Sequence, residues 1–570
     1  MRASRPIVVT TVLVLCAGFS SFGAAAARGT SPRVLRVGTW RGISGTFTSV
    51  QVAVRSARPG DWVLVGPGDY KENGFAGMDE PAGVLITTAN LHLRGMNRNT
   101  VVVDGTKPGS ARCSAKQADQ IVTTKGRNGV MAHEIDGVSI ENLTVCNYLT
   151  GSGGGEGNEI WWNGGDGSGQ IHMGPFRGDY LTATSTYSNG TQDPRGEYGI
   201  FTSNSRGPGV IDHSYASNMG DAAYYIGACP NCNQILNHAH GSNSALGYSG
   251  TNSGGNLVVE NSEFDRNLSG LVSNSQNNDD LPSPQIGLCP GGADGPLGLG
   301  ICTIFRNNYL HDNNNPNVPG AGSGGLAGGA PVGTGLVLAG SHYLAVVHNR
   351  IANNGSWGVV VTDLPDQETP PSGVGQPCQG GTNVPVPPGQ EPLCYYDVFG
   401  NAVMDNTFTH NGYFGNPTNG DIALAAKGAL NTSAGNCFAG NSNTGGTLTS
   451  DPLAVQSNPL YSPCPAPHNA NPEPALLGEL LCATQLVADC PTAPGATYPR
   501  TTGVSLHMPA AQTTMPNPCA GVPTNPWCPA AATGAVSSPS LATTGMRALL
   551  PLLALAILTA GGVGMRRISR

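Results

Sequence analysis

One recurring phrase limits what this chain can fold into more than any other feature. Two apolar residues are followed, directly or across one spacer, by Asn or Asp, usually with another Asn five or six residues on. The copies are Val210-Ile211-Asp212, Ile235-Leu236-Asn237, Val258-Val259-Glu260-Asn261, Ile304-Phe305-Arg306-Asn307, Val346-Val347-His348-Asn349 and Val403-Met404-Asp405-Asn406. Their anchors fall at 212, 237, 261, 307, 349 and 406, with an earlier copy at Asn142. The gaps of 70, 25, 24, 46, 42 and 57 residues correspond to one, two or three turns of a coil of roughly 21–25 residues, once insertions are allowed. Such a unit is too small to bury its own apolar face and must stack on copies of itself. The alternating apolar positions read as short strands, and Asn tolerates the left-handed backbone of a tight corner.

Composition agrees. Gly contributes 82 and Pro 44 of 570 residues, and only 11% are charged, less than half the usual quarter. Long helices need charged faces and tolerate Gly and Pro badly, which excludes an all-α fold or coiled coil. The polarity comes from Asn, Ser and Thr rather than net charge, which argues against wholesale disorder. In a stack, like charges about 4.8 Å apart on neighbouring coils would repel, so few are used. Residues 275–302 and 364–394 are Gly/Pro-rich excursions, each holding a cysteine pair. Both leave just after corresponding strands, Gly270-Leu271-Val272 and Gly358-Val359-Val360, and so should stand beside one face. Residues 314–335 form a third excursion, expected to leave from a different corner.

The N-terminal segment carries Val50, Val54 and Ala57 at helical spacing, then Pro59-Gly60-Asp61, Trp62-Val63-Leu64-Val65 and Gly66-Pro67-Gly68-Asp69-Tyr70. Helix, turn, strand and Pro-Gly-x-Tyr in this order, followed by the Asn-cornered repeat, resemble the right-handed parallel β-helix of the pectate-lyase-like superfamily over roughly residues 46–436. The resemblance implies an all-β solenoid of three strands per coil, with a helix capping the first coil and an amide ladder at a corner. It implies little about activity, because that fold hosts lyases, hydrolases, epimerases, esterases and adhesins. The family's catalytic series, separated Asp motifs with Gly-His-Gly and Arg-x-Lys, or Ca²⁺ carboxylates with an Arg base, are not completed here. After Cys437 the repeat fades. Residues 437–490, with a helix expected from Ala475 to Val487, read as a C-terminal cap, and 491–540, rich in Pro, Thr, Ala and Ser, as a stalk.

The two ends carry addresses. Arg2 and Arg5, an apolar run to Phe19 and Ala24-Ala25-Ala26-Ala27 form a secretory signal over 1–27. Leu15 before Cys16 is too bulky for a lipoprotein signal. At the other end Leu541-Ala542-Thr543-Thr544-Gly545, an apolar stretch from Ala548 to Met565, and Arg566, Arg567 and Arg570 resemble a sortase sorting signal of high-GC Gram-positive bacteria. The resemblance implies attachment to the cell wall through Thr544. The alternative is one marginal membrane-spanning segment. Either reading places the body outside the cell, as a monomer.

Removing both ends leaves 22 of 28 basic residues against 36 acidic ones, a formal −14 in place of −8. Nucleic-acid binding needs a basic footprint and is excluded. Fourteen of the 15 cysteines remain, an even number suited to an oxidising compartment. Sequence spacing suggests local pairs: 113–146, 229–232, 289–302, 378–394, 437–464, 482–490 and 519–528. Cys229-Pro-Asn-Cys232 could alternatively serve redox or metal chemistry.

The densest polar stretch, 193–280, holds the candidate chemistry. His213 and His238 follow Asp212 and Asn237 in one register and should stack about 4.8 Å apart, as an acid/base pair, a shared metal site or a ladder of corner side chains. On the same alignment Ser262 and Asn308 share their register, and His240 falls with Tyr215 and Phe264 as an inward-facing core residue. Asp212, Asp221, Asp279 and Asp280 are candidate catalytic carboxylates. Asp279 and Asp280 could also bind Ca²⁺ or form a solvated turn. Tyr224, Tyr225, Tyr248 and Asn274 are expected near one another on successive coils, as a sugar-binding line or as packing. Arg195 and Glu197 are candidate substrate contacts. Trp161, Trp162 and the stretch His172 to Asp179 belong either to the same groove or to a packed loop. The expected partner is a polysaccharide, bound and processed by lyase, hydrolase or epimerase chemistry, and the rival reading is a non-catalytic structural or adhesive surface protein.

Overall fold

The computed structural model describes residues 31–73, 81–277, 284–323, 325–366, 378–384, 393–428, 434–486 and 490–530. Within them the chain winds as a right-handed parallel β-helix. Sheet 1 has 12 strands, from Val34–Val37 to Cys437–Ala439. Sheet 2 has 11, from Gly68–Tyr70 to Ser442–Asn443, and sheet 3 has 11, from Ala82–Ile86 to Ser450–Asp451. One coil shows the pattern: Gln234–Asn237 in sheet 1, His240–Ser242 in sheet 2, Leu246–Thr251 in sheet 3.

The period-2 alternation of each strand sends one column inward. On sheet 1 it runs Val63, Leu93, Ile140, Gly178, Ile211, Leu236, Val259, Phe305, Val346, Val403 and Phe438. Gly178 interrupts the column because the Trp162 ring, arriving from sheet 3, fills its place; a Cβ there would meet Trp162 Cη2 at 2.8 Å. The insertions leave where expected. Two follow sheet-3 strands, Ser269–Asn274 and Trp357–Thr362, and the third follows the sheet-2 strand Tyr309–His311.

Corners are held by amide ladders. Asn308, Asn349, Asn406 and Asn441 pass Nδ2-to-Oδ1 hydrogen bonds of 3.1, 3.0 and 2.9 Å from coil to coil. Asn267, Asn313, Asn354 and Asn411 repeat this at the next corner, at 3.0, 3.2 and 3.1 Å. All seven expected disulfides are present: Cys113–Cys146, Cys229–Cys232, Cys289–Cys302, Cys378–Cys394, Cys437–Cys464, Cys482–Cys490 and Cys519–Cys528. Cys229 and Cys232 are fully buried, so a bonded structural pair replaces the redox or metal reading.

Three helices accompany the coils: α1 (Val50–Ser56), α2 (Gly325–Gly328) and α3 (Pro474–Ala483). Capped by Ser49, α1 buries Val50, Ala53 and Val54 over the first coil. At the other end Val455 and Tyr461 join the interior cluster below Phe438. The helix expected to cap that end, α3, instead lies on the outer face of sheet 3. There Leu476, Cys482 and Ala483 cluster with Val337, Val360, Ala423 and Ala425, together with Val318, Ala321 and Val332 of the third excursion. The outer column of sheet 3 is apolar on these coils, and that is why it takes a helix.

Residues 491–528, part of the 491–540 stretch expected to stand away as a stalk, run back along the solenoid to its first coil. Thr502 N donates to Asn317 Oδ1 (2.8 Å), the Asn243 and Asn218 amides donate to Ser505 O (3.0 Å) and His507 O (2.8 Å), and Arg98 donates to Thr513 O (3.0 Å). Trp527 then buries itself against Trp62, Leu64 and Met96. A Pro/Thr-rich segment forms no core, but its extended backbone has free N–H and C=O groups, and the corner amides satisfy them. The signal (1–27) and the sorting segment with Leu541, Ala542, Thr543, Thr544 and Gly545 lie outside the described residues. No helix among the described residues is long and apolar enough to cross a membrane.

Candidate functional site

With one outer face of sheet 3 closed by α3, the polar side chains collect on the outer faces of sheets 1 and 2 and the corner between them. On sheet 2 one outward file runs Tyr215, His240, Glu263, Tyr309 and Arg350, and the next runs Ser217, Ser242, Asp265, His311 and Ala352. Strand pairing brings diagonal partners together. His240 Nε2 meets Asp265 Oδ1 at 2.9 Å, and His311 Nε2 meets Glu263 Oε1 at 3.0 Å. His311 Nδ1 reaches Asp312 at 2.7 Å, and Arg266 closes on Asp265 at 2.8 Å. Tyr309 stacks on His311 with centroids 3.8 Å apart, under the Arg350 guanidinium at 4.2 Å.

Burial would depress the His311 imidazole, but its hydrogen bonds to Glu263 and Asp312 outweigh that and raise it above its ordinary value. Glu263 is lowered chiefly by the His311 hydrogen bond. Burial would raise Asp265, yet His240 holds it below the usual carboxylate range. The result is an imidazole held between two carboxylates within hydrogen-bond reach, the arrangement that proton transfer requires.

His240 was expected to point inward and does not. It pairs with Tyr215 and Glu263, while Phe264 pairs with Gly241. The sequence alignment slips by one residue between coils, and one residue flips a strand side chain to the opposite face. The same slip corrects the corner. His213 and His238 share their register with Asn261 and Asn307, as Asp212 and Asn237 do with Glu260 and Arg306, so Ser262 and Asn308 belong to the buried ladder beside them.

At that corner Tyr180, His213 and His238 stack at 4.8 and 4.6 Å. Asp212 Oδ1 lies 2.9 Å from His213 Nδ1 and 3.1 Å from His238 Nδ1, and Asp179 Oδ1 lies 3.8 Å from His213 Nδ1. Burial raises Asp179 despite its pairing with Arg177. Asp212, His213 and His238 together have the donor set of a metal site.

The remaining candidates divide. Arg195, Glu197 and Asp221 do come together at the start of the sheet-3 strands. Arg195 bonds Glu197 (2.9 Å) and pairs with Asp193 (3.1 Å), and Tyr198 donates to Asp221 (2.9 Å) beside Tyr225. Arg195 and Tyr225 are buried, so this is a closed ion cluster rather than an open groove. Tyr248 pairs with Tyr224, both inside the coil, and packs edge-on against Phe305. Asn274 is buried and accepts from Thr251 at 2.9 Å. Neither is part of a surface platform, because their column faces inward or is covered. Trp162 is interior, while Trp161 faces out and stacks on Phe201 at 4.8 Å. Asp279 and Asp280 lie outside the described residues. Sequence reasoning placed Asp265 in the densest polar stretch without giving it a role, and missed His311, Glu263 and Tyr309. Their signal was present as alternate positions in Glu263-Phe264-Asp265 and Tyr309-Leu310-His311, readable only with the correct register.

No family model matches the chain, and no curated protein matches it in sequence. Among solved structures it is similar to the A-module of the Azotobacter vinelandii mannuronan C-5 epimerase AlgE4, at 13% identity over 70% of this chain and 91% of that one, with a TM-score of 0.40. It is also similar to an alginate lyase from Paenibacillus sp. str. FPU-7 (11%, 73% and 97%, TM-score 0.32) and to pectate lyase Pel9A (13%, 67% and 76%, TM-score 0.33). At these scores the likeness bears on neither ligand nor reaction.

Proposed function

We propose that this chain is an exported protein, held at the cell surface through its C-terminal segment by sortase attachment to the wall, whose outer sheet-2 face binds a linear polysaccharide. The observation that carries the reading is the double file on sheet 2, where Tyr309, His240, His311, Glu263, Asp265 and Arg350 stand on consecutive coils. A solenoid repeats its surface at every coil, about 4.8 Å, so a polymer lying along the axis meets aromatic, imidazole and carboxylate groups again and again. Acidic and basic side chains are interleaved, with Glu263 and Asp265 between His240 and His311, which suits a neutral glycan; an anionic one would need a bridging cation such as Ca²⁺. The seven disulfides and the terminal sequences support export.

Two extensions rest on different observations. His311, hydrogen-bonded between Glu263 and Asp312, supports turnover with His311 as acid and Glu263 as base. The covering of the later sheet-3 coils by α3 supports adhesion without turnover. The test is a screen of the full chain against wall and plant polysaccharides, with and without Ca²⁺, following binding, new reducing ends and unsaturated products. Reducing ends alone identify a hydrolase, unsaturated products a lyase, inverted sugar residues seen by NMR without either an epimerase, and binding without any of these the adhesive reading. No binding to any glycan, or binding unchanged in Tyr309→Ala and Glu263→Gln, overturns the proposal.

A further inference from the structure

We propose that Asp179, Asp212, His213 and His238 form a site for a divalent transition metal such as Zn²⁺ at the corner between sheets 1 and 2. The argument starts from two carboxylate oxygens that are wrongly served as they stand. Asp212 Oδ1 has two lone pairs, yet four nitrogens face it: His213 N at 2.9 Å, His213 Nδ1 at 2.9 Å, Asn237 Nδ2 at 3.2 Å and His238 Nδ1 at 3.1 Å. Asp179 Oδ1, in a residue 7% exposed, is buried and accepts no hydrogen bond from any described residue, although it lies 3.8 Å from the same His213 Nδ1. One oxygen is crowded by nitrogens, two of which, Asn237 Nδ2 and His238 Nδ1, also meet each other at 2.8 Å, its neighbour is orphaned, and a cation between the two oxygens would serve both.

The spacing fits. Tetrahedral Zn²⁺ with bonds of about 2.0–2.1 Å separates its ligands by roughly 3.3–3.4 Å. Asp212 Oδ1 lies 2.9 and 3.1 Å from the two imidazole nitrogens, close to that edge, and Asp179, 3.8 Å from His213 Nδ1 and outside the three-residue cluster, would close the fourth position by a movement of its side chain. Two imidazoles with two carboxylates favour Zn²⁺ or its neighbours over Ca²⁺ and Mg²⁺, which prefer all-oxygen sets. Second contacts orient the ligands as metal sites require. Arg177 holds the other Asp179 oxygen at 2.8 Å, Tyr180 stacks on His213, and Arg98 donates to His213 O at 3.0 Å. The imidazoles are 41% and 50% exposed, which leaves the ion a path from solvent. The site is distinct from the sheet-2 files and does not depend on their ligand.

The test is Zn²⁺ titration of the EDTA-treated full chain by calorimetry, with Co²⁺ absorption as a report of geometry and melting in EDTA as a check on folding. One equivalent should bind, with a tetrahedral Co²⁺ spectrum, and excess Ca²⁺ should not displace it. The His213→Ala/His238→Ala double variant and Asp179→Asn should each lose more than about tenfold in affinity, since even second contacts cost that much. His348→Ala, further along the same corner, should bind as the parent does. If the double variant does not fold, Asp179→Asn and Asp212→Asn carry the test. Equal Zn²⁺ binding by parent and variants, no Zn²⁺ binding by the parent, or displacement by Ca²⁺ overturns the proposal.

Discussion

The His311 imidazole is shifted by two neighbours on different coils. Glu263 lies one coil back and Asp312 is next in sequence, and together they raise the imidazole above 6.5 while Glu263 falls below 4.5. A base whose folded value is raised contributes stability that is complete below its unfolded value and is lost as pH rises through the folded one. The depressed acid contributes stability above its unfolded value and loses it as pH falls through its folded one. The pair is therefore fully formed between these limits, and glycan affinity measured across pH should fall as pH rises past the raised imidazole value. His311→Gln should flatten that profile and lower the affinity at its optimum. His240 shows how narrowly such a site escapes a sequence reading. Its neighbours in the chain are right, but one residue of slip turned it inward on paper.

Elements are fixed by the amides between them. Asn349 is 1% exposed, accepts from Asn308 N and Nδ2 at 2.9 and 3.1 Å, and donates to Phe305 O and Asn406 Oδ1 at 2.9 and 3.0 Å. Asn349→Ala strands those partners, and chemical denaturation should show a loss of about 2–3 kcal/mol. The ladder was legible, because Asn recurs at coil spacing. The returning segment 491–528 was not. Nothing in Pro, Thr and Ala says that an extended chain will find Asn218, Asn243 and Arg98 along its path. Its end is held by Trp527, 2% exposed, whose Nε1 donates to Ile43 O at 2.9 Å. Trp527→Ala should lower hydrogen-exchange protection over 512–528 and at Trp62–Val65 and leave the strands of sheet 3 unchanged.

Across the whole molecule the stack must hide its open ends, because an unpaired parallel edge is a template for association. Val54 of α1, 2% exposed, lies over the first coil. Val54→Asp should lift that cap, and light scattering should then show concentration-dependent self-association beyond that of the parent. The amino-acid sequence determined the architecture on its own. A 21–25-residue beat of apolar pairs and corner Asn must stack on itself, the resemblance to the pectate-lyase-like superfamily implies a β-helix, local cysteine pairs close within it, and the scarcity of charge follows from coils about 4.8 Å apart. Tertiary structure decided what each face does. Register, set by hydrogen bonding between coils and sensitive to a single residue, chose which His and carboxylate side chains stand outside together. Docking of α3 and the 491–528 segment, which depends on surfaces that exist only after the coils have stacked, chose which faces stay open.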